Sequence, residues 1–250
     1  MTKRFTQIAM AIVVGGSIAT TPVAAEGQSG DGYLLKQPRV TLKFESGYAF
    51  QQARSDIFDF VVEEHTLDGS EFNAPYFGGE LGLRVNEKLD LSLSIGFQES
   101  STESEFRDWV DQDDLPISQV TGLSQLPATI GVKFYPFPRG RSIGRFAWVP
   151  RTISPFVGGS IGLVSYDFEQ FGDFIDYETL DIFYDDFVSQ GEALLARASA
   201  GVNVSVGPQF LFSVEGRYNW AQADMEGDYF GFDPIDLDGL QIIGGLAVRF

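Results

Sequence analysis

Three sets of residues have types and spacings that can do chemistry. The first is a series of charges, each separated from the next by one residue or standing singly between apolar neighbours: Lys43 and Glu45, Glu80 and Arg84, Asp90, Lys133, Arg197, Glu215 and Arg217, and Arg249. If these point into one enclosed space, they must pair, because a buried charge is tolerated mainly when an opposite charge meets it. The expectation is an internal network in which Glu45, Glu80 and Glu215 meet Lys43 and Arg217 near mid-depth, within a charged set that also includes Arg84, Lys133 and Arg197. The second is His65 in "VVEEHTL". Neither a Gly-x-Ser-x-Gly nor a Ser-x-His context accompanies it, so hydrolytic use of this imidazole lacks a nucleophile, and it is expected to be a solvated side chain. The third is acidic: "DWVDQDDLP" and "DFIDYETLDIFYDD" carry carboxylates suited to calcium or magnesium. Neither matches the glycine-containing calcium loop, so they read first as runs that keep loops solvated, with divalent cations as possible partners.

The elements that must position the first set alternate with period two, the signature of strands. From Val40, Leu42, Phe44, Tyr48 and Phe50 share one face and Thr41, Lys43, Glu45 and Gly47 the other. The pattern returns in "YFGGELGLRV", "LDLSLSIGFQ", "LPATIGVKFY", "PFVGGSIGLV", "LLARASAGVNVSV", "FLFSVEGRYNW" and "LQIIGGLAVRF". These give eight strands of about ten residues, the length that crosses a bilayer at a tilt. Alternation alone does not say which face is outside, since a soluble ligand-binding barrel alternates too. Connections and charge decide for the membrane. Long segments at 51–72, 103–118, 167–190 and 224–236 alternate with short ones at 86–88 and 207–208, as in outer-membrane barrels; 136–152 is the exception. The four long segments hold 25 of the 35 acidic residues and only Arg54 and Arg107 as bases, whereas 136–152 carries Arg139, Arg141, Arg145 and Arg151 and no acid. One rim is therefore negative and the other positive, which points to two compartments. Phe50, Phe77, Phe97 and Trp220 near the acidic segments, and Phe134, Phe210 and Phe250 at the opposite ends, are placed as two interfacial girdles.

The rest of the sequence sets limits. No apolar run reaches the 18 to 20 residues of a spanning helix, and the absence of cysteine removes disulfides, thiolate chemistry and Cys-ligated metals. A net charge of −18 repels nucleic acid. Lys3 and Arg4, a short apolar core from Ile8 to Val14, and Val23-Ala24-Ala25 form the three-part layout of a signal peptide cut after Ala25.

The chain closes on "GGLAVRF". Gly245, Val248 and Phe250 fall where outer-membrane barrels usually place a glycine, an apolar residue and the final aromatic, so the chain resembles the small OmpA/OmpX-type barrels over residues 39–250. That resemblance implies an all-β, eight-stranded antiparallel up-and-down transmembrane β-barrel whose last strand is read by the outer-membrane assembly machinery, without the peptidoglycan-binding domain of the OmpA family. The expected layout is a signal peptide at 1–25, an N-terminal periplasmic segment at 26–38 and the barrel at 39–250, set among outer-membrane lipid and lipopolysaccharide. No cofactor is expected. The expected role is structural, or surface interaction through the acidic loops; a narrow channel, a lipid-modifying enzyme and a soluble periplasmic ligand-binding barrel are the alternatives.

Overall fold

The computed structural model describes residues 32–144 and 146–250; the signal-peptide reading and Arg145 lie outside them. Among the described residues, twelve strands occur in chain order: β1 Val40–Gln51, β2 Ala74–Arg84, β3 Leu89–Val110, β4 Pro116–Phe134, β5 Gly140–Ile143, β6 Ala147–Pro150, β7 Ile153–Ile175, β8 Ile182–Ser205, β9 Phe210–Trp220, β10 Gln222–Ala223, β11 Ile235–Asp236 and β12 Gly239–Arg249. Eight of them close a barrel in the order β1-β12-β9-β8-β7-β4-β3-β2. Every pairing is antiparallel between chain neighbours, and β1 closes on β12 with Thr41 opposite Arg249 and Gln51 opposite Gly239. This is the eight-stranded up-and-down architecture expected from the alternation. Closure leaves no free edge within the ring. Even the last residue is tied, since Phe250 N–H donates to the Val40 carbonyl at 2.8 Å.

Around one band of the barrel the apolar face is outward: Phe44, Phe77, Leu93, Ile130, Ile161, Leu194, Val214 and Leu246 are all exposed, while Lys43, Glu45, Lys133, Glu215 and Arg217 are buried. A continuous apolar belt on an otherwise acidic chain is the surface of a transmembrane barrel, with lipid outside and a polar lumen. Phe50, Phe77, Phe97 and Trp220 edge the belt at one rim and Phe134, Phe210 and Phe250 at the other, all exposed.

The strands differ from expectation in length. β3, β4, β7 and β8 run 22, 19, 23 and 24 residues, so segments 103–118 and 167–190 are mostly strand. They are not loops: only 111–115 and 176–181 are turns. The alternation continues through them with its polarity reversed. Along β7 the outward Val157, Ile161 and Leu163 give way to Asp167 and Glu169, while the inward Ser154 and Ser160 give way to Val164, Tyr166 and Phe168. β8 does the same, passing from outward Leu194 to Glu192 and from inward Arg197 to Leu195 and Ala193. The pairing register runs unbroken across the change.

The inward apolar residues of the extensions are covered by the connections. Helix α1 Asp56–Glu64 starts with Asp56 and Asp59 in its first turn, where the helix dipole favours negative charge, and buries Ile57, Phe58 and Val61. These join Leu67, Phe72, Leu123, Phe168, Tyr229, Ile235 and Leu237 in one hydrophobic core that caps the barrel mouth. Phe58 stands edge-on to Phe72 and Phe168 at ring centroid distances of 4.7 and 6.2 Å. The connection at 51–72 is therefore a folded lid element.

Candidate functional site

The charges singled out from the sequence converge in the barrel interior. Lys43 on β1 lies opposite Glu80 on β2, and its Nζ is 2.8 Å from Glu45 Oε1, 3.2 Å from Glu80 Oε1 and 3.0 Å from Glu215 Oε2. Lys133 Nζ on β4 reaches Glu80 Oε2 at 2.6 Å and Glu215 Oε2 at 3.0 Å. Arg217 donates to Glu215 Oε1 through Nε at 2.9 Å and to Glu45 Oε2 through Nη1 at 2.8 Å. Three cations and three carboxylates are thus cross-linked, nearly all below one-tenth exposed. Paired oxygens of Glu45, Glu80 and Glu215 approach within 4.8 Å of one another, a spacing that a hard cation can use. Here two ammonium groups and a guanidinium already fill that role, and the set is neutral without a metal.

Packing explains how the cluster is held. Tyr76 is fully buried and its hydroxyl is 3.4 Å from Arg217 Nη1. The ring lies flat over Gly78 and Gly96: a Cβ on Gly96 would stand 2.3 Å from the tyrosine oxygen, so only glycine leaves it room. Gly245 has a similar local reason, because a Cβ there would meet Ser213 Oγ at 2.6 Å and the Lys43 stem at 3.0 Å. Val248 is half-buried and Phe250 exposed on the outward face.

Two residues of the expected set lie elsewhere. Arg197 donates to Asn219 Oδ1 at 2.7 Å and to Ser94 Oγ at 3.4 Å, one layer toward the cap, and makes no ion pair among the described residues. Arg84 sits at the opposite end with its guanidinium 5.1 Å from the centre of the Trp148 ring.

Trp148 belongs to the arginine-rich connection, whose folding alternation did not foretell. β5 and β6 form a hairpin with Ser142 opposite Trp148, and Trp148 is turned inward and buried across the end of the barrel. Arg84 and Arg249 lie 5.1 and 5.2 Å from its ring centre, cation–π contacts that suit a desolvated indole. Leu34 pairs with Trp148 through N–H to carbonyl bonds of 2.9 and 2.8 Å, so the chain is tied to this hairpin six residues before β1 begins. Arg139 bonds Asp90 and donates through Nη2 to the Asn86 carbonyl at 2.9 Å.

Above the ion cluster, Gln241 Nε2 donates to Gln98 at 2.8 Å and Gln125 Nε2 to Gln51 at 3.0 Å, and beyond them stands the apolar cap. The lumen is thus interrupted by the indole hairpin, the ion cluster, the amide layer and the cap. Cavities of about 40 and 10 Å³ lie between these layers, room for a few waters.

His65 differs from expectation. It is 2% exposed, with Nδ1 3.1 Å from the Val61 carbonyl, Nε2 against Gln119 and its ring 4.3 Å from that of Phe106. The flanking Glu63 and Glu64 suggested water, but one turn of helix places the imidazole on the face of Val61. Burial pushes its pKa down. The partners of the ring are the Val61 carbonyl, the Gln119 amide and the Phe106 ring.

No protein-family model and no curated protein matches the chain. Solved structures with a similar strand arrangement include neisserial surface protein A (TM-score 0.46, 10% identity, 84% of this chain and 97% of that one). The attachment invasion locus protein of Yersinia pestis (0.40, 12%, 85% and 99%) and outer membrane protein W of E. coli (0.41, 13%, 86% and 99%) are two more. The fold assignment rests on the strand register of this chain itself.

Proposed function

We propose that the chain is a non-enzymatic outer-membrane protein that contributes to envelope structure and presents its acidic hairpin end for surface interaction, with both termini on the periplasmic side. The observation that carries this reading is the change of polarity along β7 and β8: a lipid-facing section is continuous with one whose outer face carries Asp167, Glu169 and Glu192 and whose inner face carries Val164, Phe168, Ala193 and Leu195, as an aqueous projection requires. A lumen interrupted by four successive layers speaks against conduction, and the enclosure of His65 against lipid modification.

In the same reading, the carboxylates of the projecting hairpins face the lipopolysaccharide layer, where divalent cations bridge them to its anionic groups, and Phe250 at the end of β12 is what the assembly machinery engages. Because the chain has no cysteine, single cysteines test the orientation in intact cells. Asp185→Cys on the β7–β8 hairpin is expected to react with a membrane-impermeant maleimide, and Val206→Cys at the other rim only after the envelope is opened. The opposite pattern reverses the orientation, and release of the protein by salt alone removes it from the membrane.

A further inference from the structure

The larger cavity lies between the ion cluster and the Trp148 hairpin, with a charge imbalance that the fold does not correct. Lys43 and Lys133 on its wall belong to the neutral cluster. That leaves Arg84, Arg139 and Arg249 against Asp90 alone, and Asp90 is engaged by Arg139. Arg249 is about nine-tenths buried; its Nε and Nη2 donate to the carbonyls of Pro208 and Gly207 at 2.6 and 2.9 Å, and no carboxylate meets it among the described residues. Arg84 makes no ion pair among them either, and its Nη1 is a buried donor with no hydrogen-bond partner. Two guanidinium groups without counter-charge, Arg249 buried and Arg84 half-buried, are costly there, and the face of one indole offsets only part of that cost. Planar guanidinium donors match the oxygens of an oxyanion better than they match chloride. Asp90 Oδ1 is a buried acceptor that also lacks a partner, which favours an oxyanion carrying a hydroxyl to donate. The walls are strands of a closed sheet, so the ligand is a free solute entering from the end that holds Phe250 and the β5–β6 hairpin.

We propose that this vestibule binds a small protonated oxyanion of the phosphate class between Arg84, Arg249 and the Arg139–Asp90 pair. The site is independent of the surface role proposed above.

The test uses the full barrel in detergent micelles with Trp109→Phe and Trp220→Phe, so that Trp148, in contact with two of the arginines, is the sole indole. Inorganic phosphate is titrated at constant ionic strength against chloride. The expected result is a saturable change in Trp148 emission with phosphate and none with chloride. Arg84→Gln and Arg249→Gln should each weaken it by about tenfold or more, the size of a lost charge-assisted hydrogen bond, while Arg141→Gln, on the exposed face of the hairpin, leaves it unchanged. Heat-modifiable gel mobility verifies folding; if Arg84→Gln does not fold, Arg84→Lys keeps the charge, loses the fork, and is expected to weaken phosphate too. An unsaturable response, an equal response to chloride, or full affinity in folded Arg84 and Arg249 variants overturns the proposal.

Discussion

The belt of this barrel and the end that projects beyond it share four strands, β3, β4, β7 and β8, and solve opposite problems. In the belt, lipid lies outside, so Ile161 and Leu163 face out and the ions are shut within. A few residues further along β7, Asp167 and Glu169 face out and Tyr166 and Phe168 face in. The backbone is indifferent to this exchange: register, pleat and handedness continue. What changes is the medium on each side, which teaches that period two specifies the strand while the sign of the alternation specifies the surroundings. The interiors differ accordingly. That of the belt is held by charge pairing, whose loss leaves a buried ion unmatched; that of the projecting end is held by an apolar cluster with hydrogen-bonded Gln119, Gln170 and Ser189 buried beside it, so apolar burial dominates there.

The largest effect on this contrast is expected from Arg217→Met. Glu45 then loses a bidentate partner and Glu215 the Nε donor, and destabilisation of about 3–5 kcal/mol is expected, read as a lower urea midpoint for unfolding in micelles. Phe58→Ala is expected to be of comparable local size, about 3–5 kcal/mol, but confined to the cap: amides of 53–72 exchange faster while heat-modifiable mobility persists. If Phe58→Ala lowers the whole-barrel midpoint as much as Arg217→Met does, the two regions are one cooperative unit and the contrast loses its energetic meaning.

Next in size is a matched pair on one face of β7. Ile161→Arg places a cation against lipid and is expected to cost about 2–4 kcal/mol; Glu169→Arg, on the same face beyond the belt, is expected to change stability by less than about 0.5 kcal/mol. Equal costs at the two positions would mean that lipid covers both.

The smallest effect is pH-dependent. His65 is depressed by burial, so above its unfolded pKa of about 6.5 it is neutral in both states and imposes no pH dependence. As pH falls below that value the unfolded imidazole takes a proton that the buried one resists, and stability is lost down to the folded pKa. Protection factors in 53–72, the exchange rates taken relative to the intrinsic rates at each pH, should therefore fall between pH 7 and 5, and His65→Gln should flatten that dependence. An unchanged profile in the variant assigns the pH response to other groups.

The belt was legible because one face of each of eight segments is apolar, as in Leu89, Leu91, Leu93, Ile95 and Phe97. The charges on the opposite face were legible for the same reason. Reading stopped where the apolar face changed sides: in "SYDFEQF" the alternation is intact, but following the outward residues from Leu163 leads to Asp167, which looks like the start of a loop. Two further features had no local signal. Trp148 enters the lumen through a hairpin of four-residue strands, too short for periodicity, and His65 is buried as the C-terminal cap of a short helix, one turn after Val61. Arg84 and Arg197 share the face of the ion cluster in the sequence pattern, yet their places along the strands set them in other layers of the barrel.

The central claim is the reversal of facing along an unbroken strand. Spin labels at Val157, Ile161, Leu163, Asp167 and Glu169, introduced singly as cysteines in lipid nanodiscs, measure it through their relative accessibility to dissolved oxygen and to a water-soluble nickel chelate. Oxygen should dominate at 157, 161 and 163 and the chelate at 167 and 169, with labels at Val164 and Phe168 shielded from both. Chelate access at 161 together with oxygen access at 169, or a shift of the exposed positions from odd to even residues after 165, would contradict it.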